Sequence, residues 1–527
     1  MDKWVKRTVL IVVSLNILQL FVYPQFWSWT SLSWPTGFSG DKASVDVEEP
    51  QLKSWPAIPS HRPWTLNKDL QTFSCEAYFG NGYTDVVPLL KAPKKSKRLN
   101  NTDDLSGSFQ CRYNPTLRTS ICEGKHVVMN LDKIEMSKGG EYLEKVIGRG
   151  EDAELPQFST GAFEVMVTQG SQIPPATPLF DNGQVDSLMP QGQVSRHTLR
   201  DLLKTVRTVD ASTVTCARTV VEPTLVVTRF EYANLFHTST DWYSAYSTAR
   251  VVGLKSRPHL IFLDGHCKSP MDDGWEAMYT TVTYAKHFTS PVCFEHLIFA
   301  PLGYDVPLFK NIASTLNCMG KPAEELAKKA DPNKTSRVRE FGEFVAASFE
   351  PEGTTPLDAE DADSAKIPEV RVLMVRREDY LAHPRHSGKP QTRLSNELEV
   401  LEALRSWAKE RSSTYFEDNQ SLLNVTVING VLAHMTLDQQ MKAVRGADVL
   451  VGAHGAGLTH LVFAKPTAAV LEISSPTYRR PHFQTMSYWQ GRDYHIINMD
   501  GSYADTIQVR RVMDQILKDI SAKKLSS

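Results

Sequence analysis

The spacing of hydrophobic and polar positions changes several times along the chain. Residues 1–7 include Asp2, Lys3, Lys6 and Arg7, whereas residues 8–23 carry no charge and are dominated by Val, Leu, Ile and Phe. That run predicts a single transmembrane helix, short against the ~20 apolar residues a bilayer requires, with Trp27 and Trp29 at the far interface. The residues that follow are Pro, Gln, Phe and Trp rather than the small residues of a cleavage site, so an anchor is expected in place of a removed signal. Lys3, Lys6 and Arg7 then mark residues 1–7 as a cytosolic tail and send the rest of the chain to the lumenal side. Residues 24–70 are rich in Pro, Ser and Trp without periodicity, which predicts a luminal stem.

Beyond an acidic, turn-rich break at 351–368, apolar runs of strand length alternate with helical patterns. Strands are expected at 370–375, 425–429, 449–452 and 468–473, with helices at 396–410 and 437–445 between them. This alternation predicts a parallel sheet wrapped by helices over residues 369–505. Residues 71–350 show the same alternation less cleanly, with strands at 224–228 and 259–263 and a helix between. A helical pattern at 506–527 closes the chain. The expected architecture is therefore α/β, with two Rossmann-like lobes facing a cleft behind a single transmembrane helix and a stem.

Composition narrows the function. A chain of 527 residues with 41% hydrophobic content has room for two cores. A formal charge of −2 excludes the basic footprint of a nucleic-acid binder and favours a mostly neutral partner. All seven cysteines precede Pro351 and none forms a CxxC or Cys/His zinc spacing, so disulfides within one lobe are expected, with at least one thiol left over. Glycosylation sequons at Asn100, Asn333, Asn419 and Asn424 suit the same oxidising compartment.

Three clusters offer chemistry. In the first, Val449-Leu450-Val451-Gly452-Ala453-His454-Gly455-Ala456-Gly457 runs from an apolar strand through a glycine turn into a helix. Gly455 and Gly457 allow close approach of a diphosphate to unpaired amides, and His454 can donate to the same oxygens. An ordinary strand-to-helix turn explains the glycines almost as well. In the second, Arg376 and Arg377 end the strand after the break, Arg393 and Asn396 precede a helix, and Glu472 ends a later strand. Guanidinium forks fit phosphate, and a carboxylate at a strand end fits ribose hydroxyls, against the plain alternative of surface charge and a helix cap. In the third, Asn234, His237 and Asp241 share one face if the segment is helical. A general base for a sugar hydroxyl is either Asp241 or His237, with a buried structural histidine as the bland alternative. Asp264-Gly265-His266 reads as a turn. Asp361-Ala362-Asp363 matches the letters of a metal-binding DxD, but its acidic linker setting reads as solvated charge.

The stretch from Gly452 through His460 to Glu472 resembles the signature of glycosyltransferase family 61, and the resemblance extends to residues 74–82, 229–246, 262–267 and 375–388. It implies a fold of the two-lobed GT-B type with an acceptor-side lobe at 71–350 and a nucleotide-sugar lobe at 369–505. It further implies inverting transfer of xylose from UDP-xylose, in β-1,2 linkage, to the core mannose of an N-linked glycan at the Golgi membrane, by a single-pass type II protein. No catalytic metal is expected and no other cofactor. Residue chemistry alone does not separate this from a sibling transferase using UDP-GlcNAc or another acceptor, because such donors share the nucleotide and diphosphate. A lectin-like protein that kept the fold predicts a broken base cluster or a broken phosphate cluster, and both are intact here.

Overall fold

Ten strands of the amino-terminal part form one mixed sheet in the computed structural model of the chain. It describes residues 51–526 apart from 66–68, 93–105, 169–170, 172, 193, 313–315, 317, 319–330, 351–368, 378–393, 413–422 and 478–479. Strands β1 (Asp85–Leu90), β2 (Ser108–Asn114), β3 (Thr119–Met129) and β4 (Phe163–Val167) make antiparallel contacts, and β5 (Arg207–Asp210) lies parallel to β4. Strands β6 (Arg218–Val220), β7 (Thr224–Val227), β8 (His259–Phe262) and β9 (Val282–Tyr284) form the parallel half, joined to β3 through β10 (Val292–Phe299). The sheet runs β1-β2-β3-β10-β7-β8-β9. Between β7 and β8 runs α1 (Leu235–Val252), opened by Asn234 and closed by Gly253 at φ 82°, the left-handed region where glycine pays no steric cost.

The carboxyl-terminal sheet has five strands, all parallel. After α2 (Val338–Ala347) they are β11 (Glu369–Val375), β12 (Asn424–Gly430), β13 (Val449–Ala453), β14 (Ala469–Ser474) and β15 (Tyr494–Asn498), in the order β12-β11-β13-β14-β15. This is a doubly wound sheet whose order reverses between β11 and β13. Strand ends at such a reversal splay their loops apart and leave a crevice, so ligands collect there.

Burial on both faces explains the run of Val, Leu and Ile in these strands. Val370, Val372 and Met374 of β11 pack with α3 (Glu397–Ser412) and with Val509, Met513 and Ile516 of α6 (Thr506–Ser526). Leu373 and Val375 point the other way, into a core holding α4 (Leu437–Gly446), α5 (His482–Trp489), α2 and α1. One hydrophobic core is thus shared by the amino- and carboxyl-terminal parts. Gly342 of α2 makes the joint tight: a β-carbon there would stand 2.0 Å from the Val462 carbonyl oxygen.

Several expectations are corrected. The carboxyl-terminal sheet is the parallel, doubly wound one, while the amino-terminal sheet is only half parallel, because β1–β4 and β10 return by antiparallel pairing. Two equivalent Rossmann-like lobes are therefore replaced by a mixed α/β architecture with a shared core. The single transmembrane helix, and with it the single-pass type II placement in the Golgi membrane, is not carried by the structure. Among the described residues no helix is long and apolar enough to cross a membrane, and residues 8–23 lie outside them, as do the 351–368 linker with its Asp361-Ala362-Asp363 and the sequons at Asn100 and Asn419.

Part of the expected stem is built into the body. Trp55 donates its indole N–H to the Leu254 carbonyl and lies under the Arg250 guanidinium at 3.7 Å. Ser60 donates from its amide and hydroxyl to Glu343, and Trp64 donates to Glu340. Arg337 in turn donates to the carbonyls of Arg62 and Pro63. Disulfides join Cys75 to Cys318, Cys111 to Cys122 across β2 and β3, and Cys216 to Cys293, leaving Cys267 as a buried thiol.

Candidate active site

Strand β11 ends at Val375, and the next two residues diverge. Arg376 donates from its amide to the Gly430 carbonyl and from its guanidinium to Asn429 at 2.9 Å, and its Nε lies 3.3 Å from Glu397. Arg377 donates its amide to Glu397 at 3.1 Å. Burial holds the Glu397 carboxyl above the usual carboxylate range, although both arginines oppose it. The Arg377 guanidinium lies over Gly455: its carbon is 3.4 Å from where a β-carbon on that residue would stand. Glycine at 455 therefore leaves the backbone open under a guanidinium at the sheet's reversal point.

His454, one residue earlier, is fixed from behind. Its Nδ1 meets Glu472, whose other oxygen accepts from the Tyr494 hydroxyl. A carboxylate only accepts, so Nδ1 donates and the ring's orientation is fixed. The turn continues as a 3₁₀ segment, Ala456–Val462, rather than the expected α-helix. There His460 donates from Nδ1 to the Gly457 carbonyl (2.7 Å), its Nε2 lies 2.8 Å from the Gln440 side-chain oxygen, and burial lowers its pKa to about 4.

His482, the first residue of α5, stacks into the same corner. Its ring centroid is 5.2 Å from that of His454 and 5.1 Å from that of Phe236 on α1. Burial, reinforced by His454, Arg480 and His237 nearby, lowers its pKa to about 3, so it is neutral in the fold. His237 follows Phe236, with Tyr304 and Phe309 each 5.6 Å away. A chain of rings thus runs from His237 in the amino-terminal part through Phe236 and His482 to His454.

The rest of the α1 cluster departs from the expectation of one face offering amide, imidazole and carboxylate together. Asn234 is the N-cap, its side chain accepting from the Phe236 amide at 3.0 Å. His237 and Asp241 lie one turn apart on the helix, but Asp241 is only 4% exposed. Burial, with Asp264 nearby, pushes its carboxyl well above the usual range against the opposing pull of Arg229 and the Gly303 amide. A β-carbon at Gly303 would stand 2.2 Å from Asp241 Oδ1, so only glycine fits there. Asp264 itself is a structural group. Burial pushes it up, but Arg229, gripping it through Nε and a terminal nitrogen, and His266 together hold it below the usual range.

The profile of the family described as "Glycosyltransferase 61" matches residues 321–471. A β-1,2-xylosyltransferase of rice, Oryza sativa subsp. japonica, is 46% identical over 91% of this chain and 85% of its own. A β-1,2-xylosyltransferase of Arabidopsis thaliana is 40% identical over 98% of both chains. The chain belongs to glycosyltransferase family 61. A more distant similarity, 23% over 49% of this chain, is to the EGF domain-specific O-linked N-acetylglucosamine transferase of Gallus gallus.

Within this family member, then, the structure brings together Arg377, His454, Gly455 and, across the ring chain, His237. Gly457 lies in the same turn, where its β-carbon would press to 3.0 Å on Val375. Arg376 is engaged beside this group, toward Asn429. Two expected ligand contacts are corrected. Glu472 is 1% exposed, with both oxygens taken by His454 and Tyr494, so it orients the imidazole and is not open to a ribose. Asn396 spends its amide on both backbone groups of Ala504 and on Glu399, stapling the segment before α6. Arg393 lies outside the described residues. Sequence reasoning missed His482, Tyr494 and Glu397. Glu397 alone carried a signal, as the acidic residue opening the helix beside the arginines; no spacing links His482 or Tyr494 to the glycine turn.

Proposed function

We propose that this family 61 glycosyltransferase transfers xylose from UDP-xylose, in β-1,2 linkage and with inversion, to the core mannose of an N-linked glycan. The observation that carries a nucleotide-sugar site is the Arg377 guanidinium over Gly455, beside His454, at the reversal of a parallel sheet. A guanidinium over an open glycine backbone, with an imidazole beside it that donates to an anion once it is protonated, suits a departing diphosphate, whose negative charge grows as the glycosidic bond breaks. The names of the rice and Arabidopsis relatives support xylose and the β-1,2 linkage.

His237 is the base in this reading. It takes the proton of the acceptor hydroxyl as that oxygen attacks the sugar's anomeric carbon and UDP leaves from the opposite face. Asp241 is less suited to that role, because burial pushes its carboxyl toward the protonated form. Departing charge is met by Arg377 and His454, so the reaction proceeds without a catalytic metal.

The test is to incubate the purified protein with a panel of UDP-sugars and a trimmed N-glycan, with and without EDTA, and to locate any new linkage by mass spectrometry and NMR. A β-1,2-xylosyl product formed equally in chelator is expected. Transfer of N-acetylglucosamine in place of xylose would sink the donor assignment. Loss of turnover in EDTA that Mn²⁺ restores would sink the metal-free step.

A further inference from the structure

A second concavity lies on the amino-terminal side of His237, and the donor machinery leaves it unused. Its volume is about 260 Å³ and its lining includes Glu151, Asp152, Ser195, Arg196, Phe230 and Tyr304. That is just below the ~300–1,000 Å³ of sites for drug-sized ligands, and suits a single sugar ring. Tyr304 is the shared wall. Its ring meets Phe230 edge-on at 5.3 Å on the cavity side and lies 5.6 Å from the His237 ring.

The cavity is held in shape before any ligand arrives. Arg196 donates to the carbonyls of Pro156 and Leu155, at 2.5 and 3.4 Å, so its guanidinium is anchored at the rim. The helical turn Glu151–Glu154, which carries Glu151 and Asp152, is pinned through Glu154. That carboxylate accepts from Arg149 at 2.9 Å and meets His266 at 2.7 Å. The pinned turn and anchored guanidinium lower the ordering cost of binding.

The chemistry selects its ligand. At the rim Asp152 lies 4.0 Å from the Arg196 guanidinium, and with Glu151 beside them the two carboxylates outnumber the one cation, which disfavours the donor's diphosphate. Carboxylates accept from sugar hydroxyls, a guanidinium donates to them, and aromatic rings pack against the apolar face of a pyranose. We propose that this cavity is an acceptor subsite, holding the sugar unit adjacent to the one whose hydroxyl reacts at His237. It rests on the transferase reading above and adds to it the group that distinguishes an extended glycan from a lone mannoside.

Two variants test it: Ser195→Trp, which fills the cavity from an exposed position, and Glu151→Gln, which removes one charged acceptor with little change of shape. Steady-state transfer is measured with a trimmed N-glycan and with a simple alkyl β-mannoside, alongside UDP affinity by calorimetry and melting temperature. The expected result is a rise in KM for the glycan of about tenfold or more, with kcat, mannoside KM, UDP affinity and melting temperature unchanged. Wild-type glycan KM in both variants overturns the subsite, and so does an equal rise for the mannoside. A wild-type protein that leaves the glycan untouched fails the transferase reading itself, a result separable from the other two.

Discussion

His237 and Asp241 look interchangeable as letters four apart on a helix, but their surroundings give them opposite states. Asp241 is sealed beneath Gly303 with its carboxyl pushed toward the protonated form, whereas His237 lies among rings at the junction with the donor side. Asp241→Asn, which mimics the protonated carboxyl, is expected to keep kcat within severalfold of wild type. His237→Ala is expected to lower kcat by about 10²–10⁴, the usual worth of a general base, with an unchanged circular dichroism spectrum. The reverse ranking would return the base role to Asp241. Arg377 makes the matching case on the donor side. Arg377→Ala removes a charge-assisted contact worth roughly 1.5–3 kcal/mol, so UDP binding measured by calorimetry is expected to weaken by about 10- to 100-fold. Unchanged affinity would remove Arg377 from the donor site.

Among the elements, the glycine turn after β13 and the start of α5 behave as one unit, because His460 and His482 are packed against it in neutral form. Unfolded histidines titrate near 6.5, whereas these two are depressed to about 4 and about 3. Between those values the unfolded chain binds more protons than the folded one, so acid favours unfolding. Their contribution to stability is complete above pH 6.5 and is lost as pH falls toward about 4 and then about 3. Urea midpoints measured from pH 7.5 down to 4.5 are expected to fall, and His482→Gln is expected to reduce the slope. A flat profile would show that these rings are hydrated rather than buried. The same elements show how the strands were read. The alternation of apolar runs and helices after residue 368 was legible to within a residue or two at β11 and β13, because strands buried on both faces must be apolar throughout. The antiparallel half of the amino-terminal sheet was not legible, since pairing partners there lie far apart in sequence.

For the molecule as a whole, the fused core makes the amino-terminal segment 51–64 part of the body. Glu340 is 1% exposed; burial pushes its carboxyl up, but His61, Arg337 and Tyr246 together hold it below its usual range. Beginning the chain at residue 65 removes His61, Arg62 and Trp64 from that carboxylate and uncovers Tyr246 and Phe344, which pack edge-on and tilted against Trp55. Leaving a buried charge short of partners costs several kcal/mol. Relative to a chain beginning at residue 51, the melting temperature is expected to fall by about 5 °C or more. Equal melting temperatures would show that the segment is a detachable spacer.

Local pattern settled the parallel strands, the glycine turn and the basic strand end, since each depends on the chemistry of neighbouring residues along the chain. Broad similarity of sequence settled the family. Burial and partnership required the folded chain, because both depend on what arrives from elsewhere. Glu472 reads as a ribose ligand until Tyr494 and His454 occupy its oxygens, and Asn396 reads as a cofactor contact until Ala504 comes to it. His482 enters the site only because α5 carries it between two parts of the chain separated by more than two hundred residues.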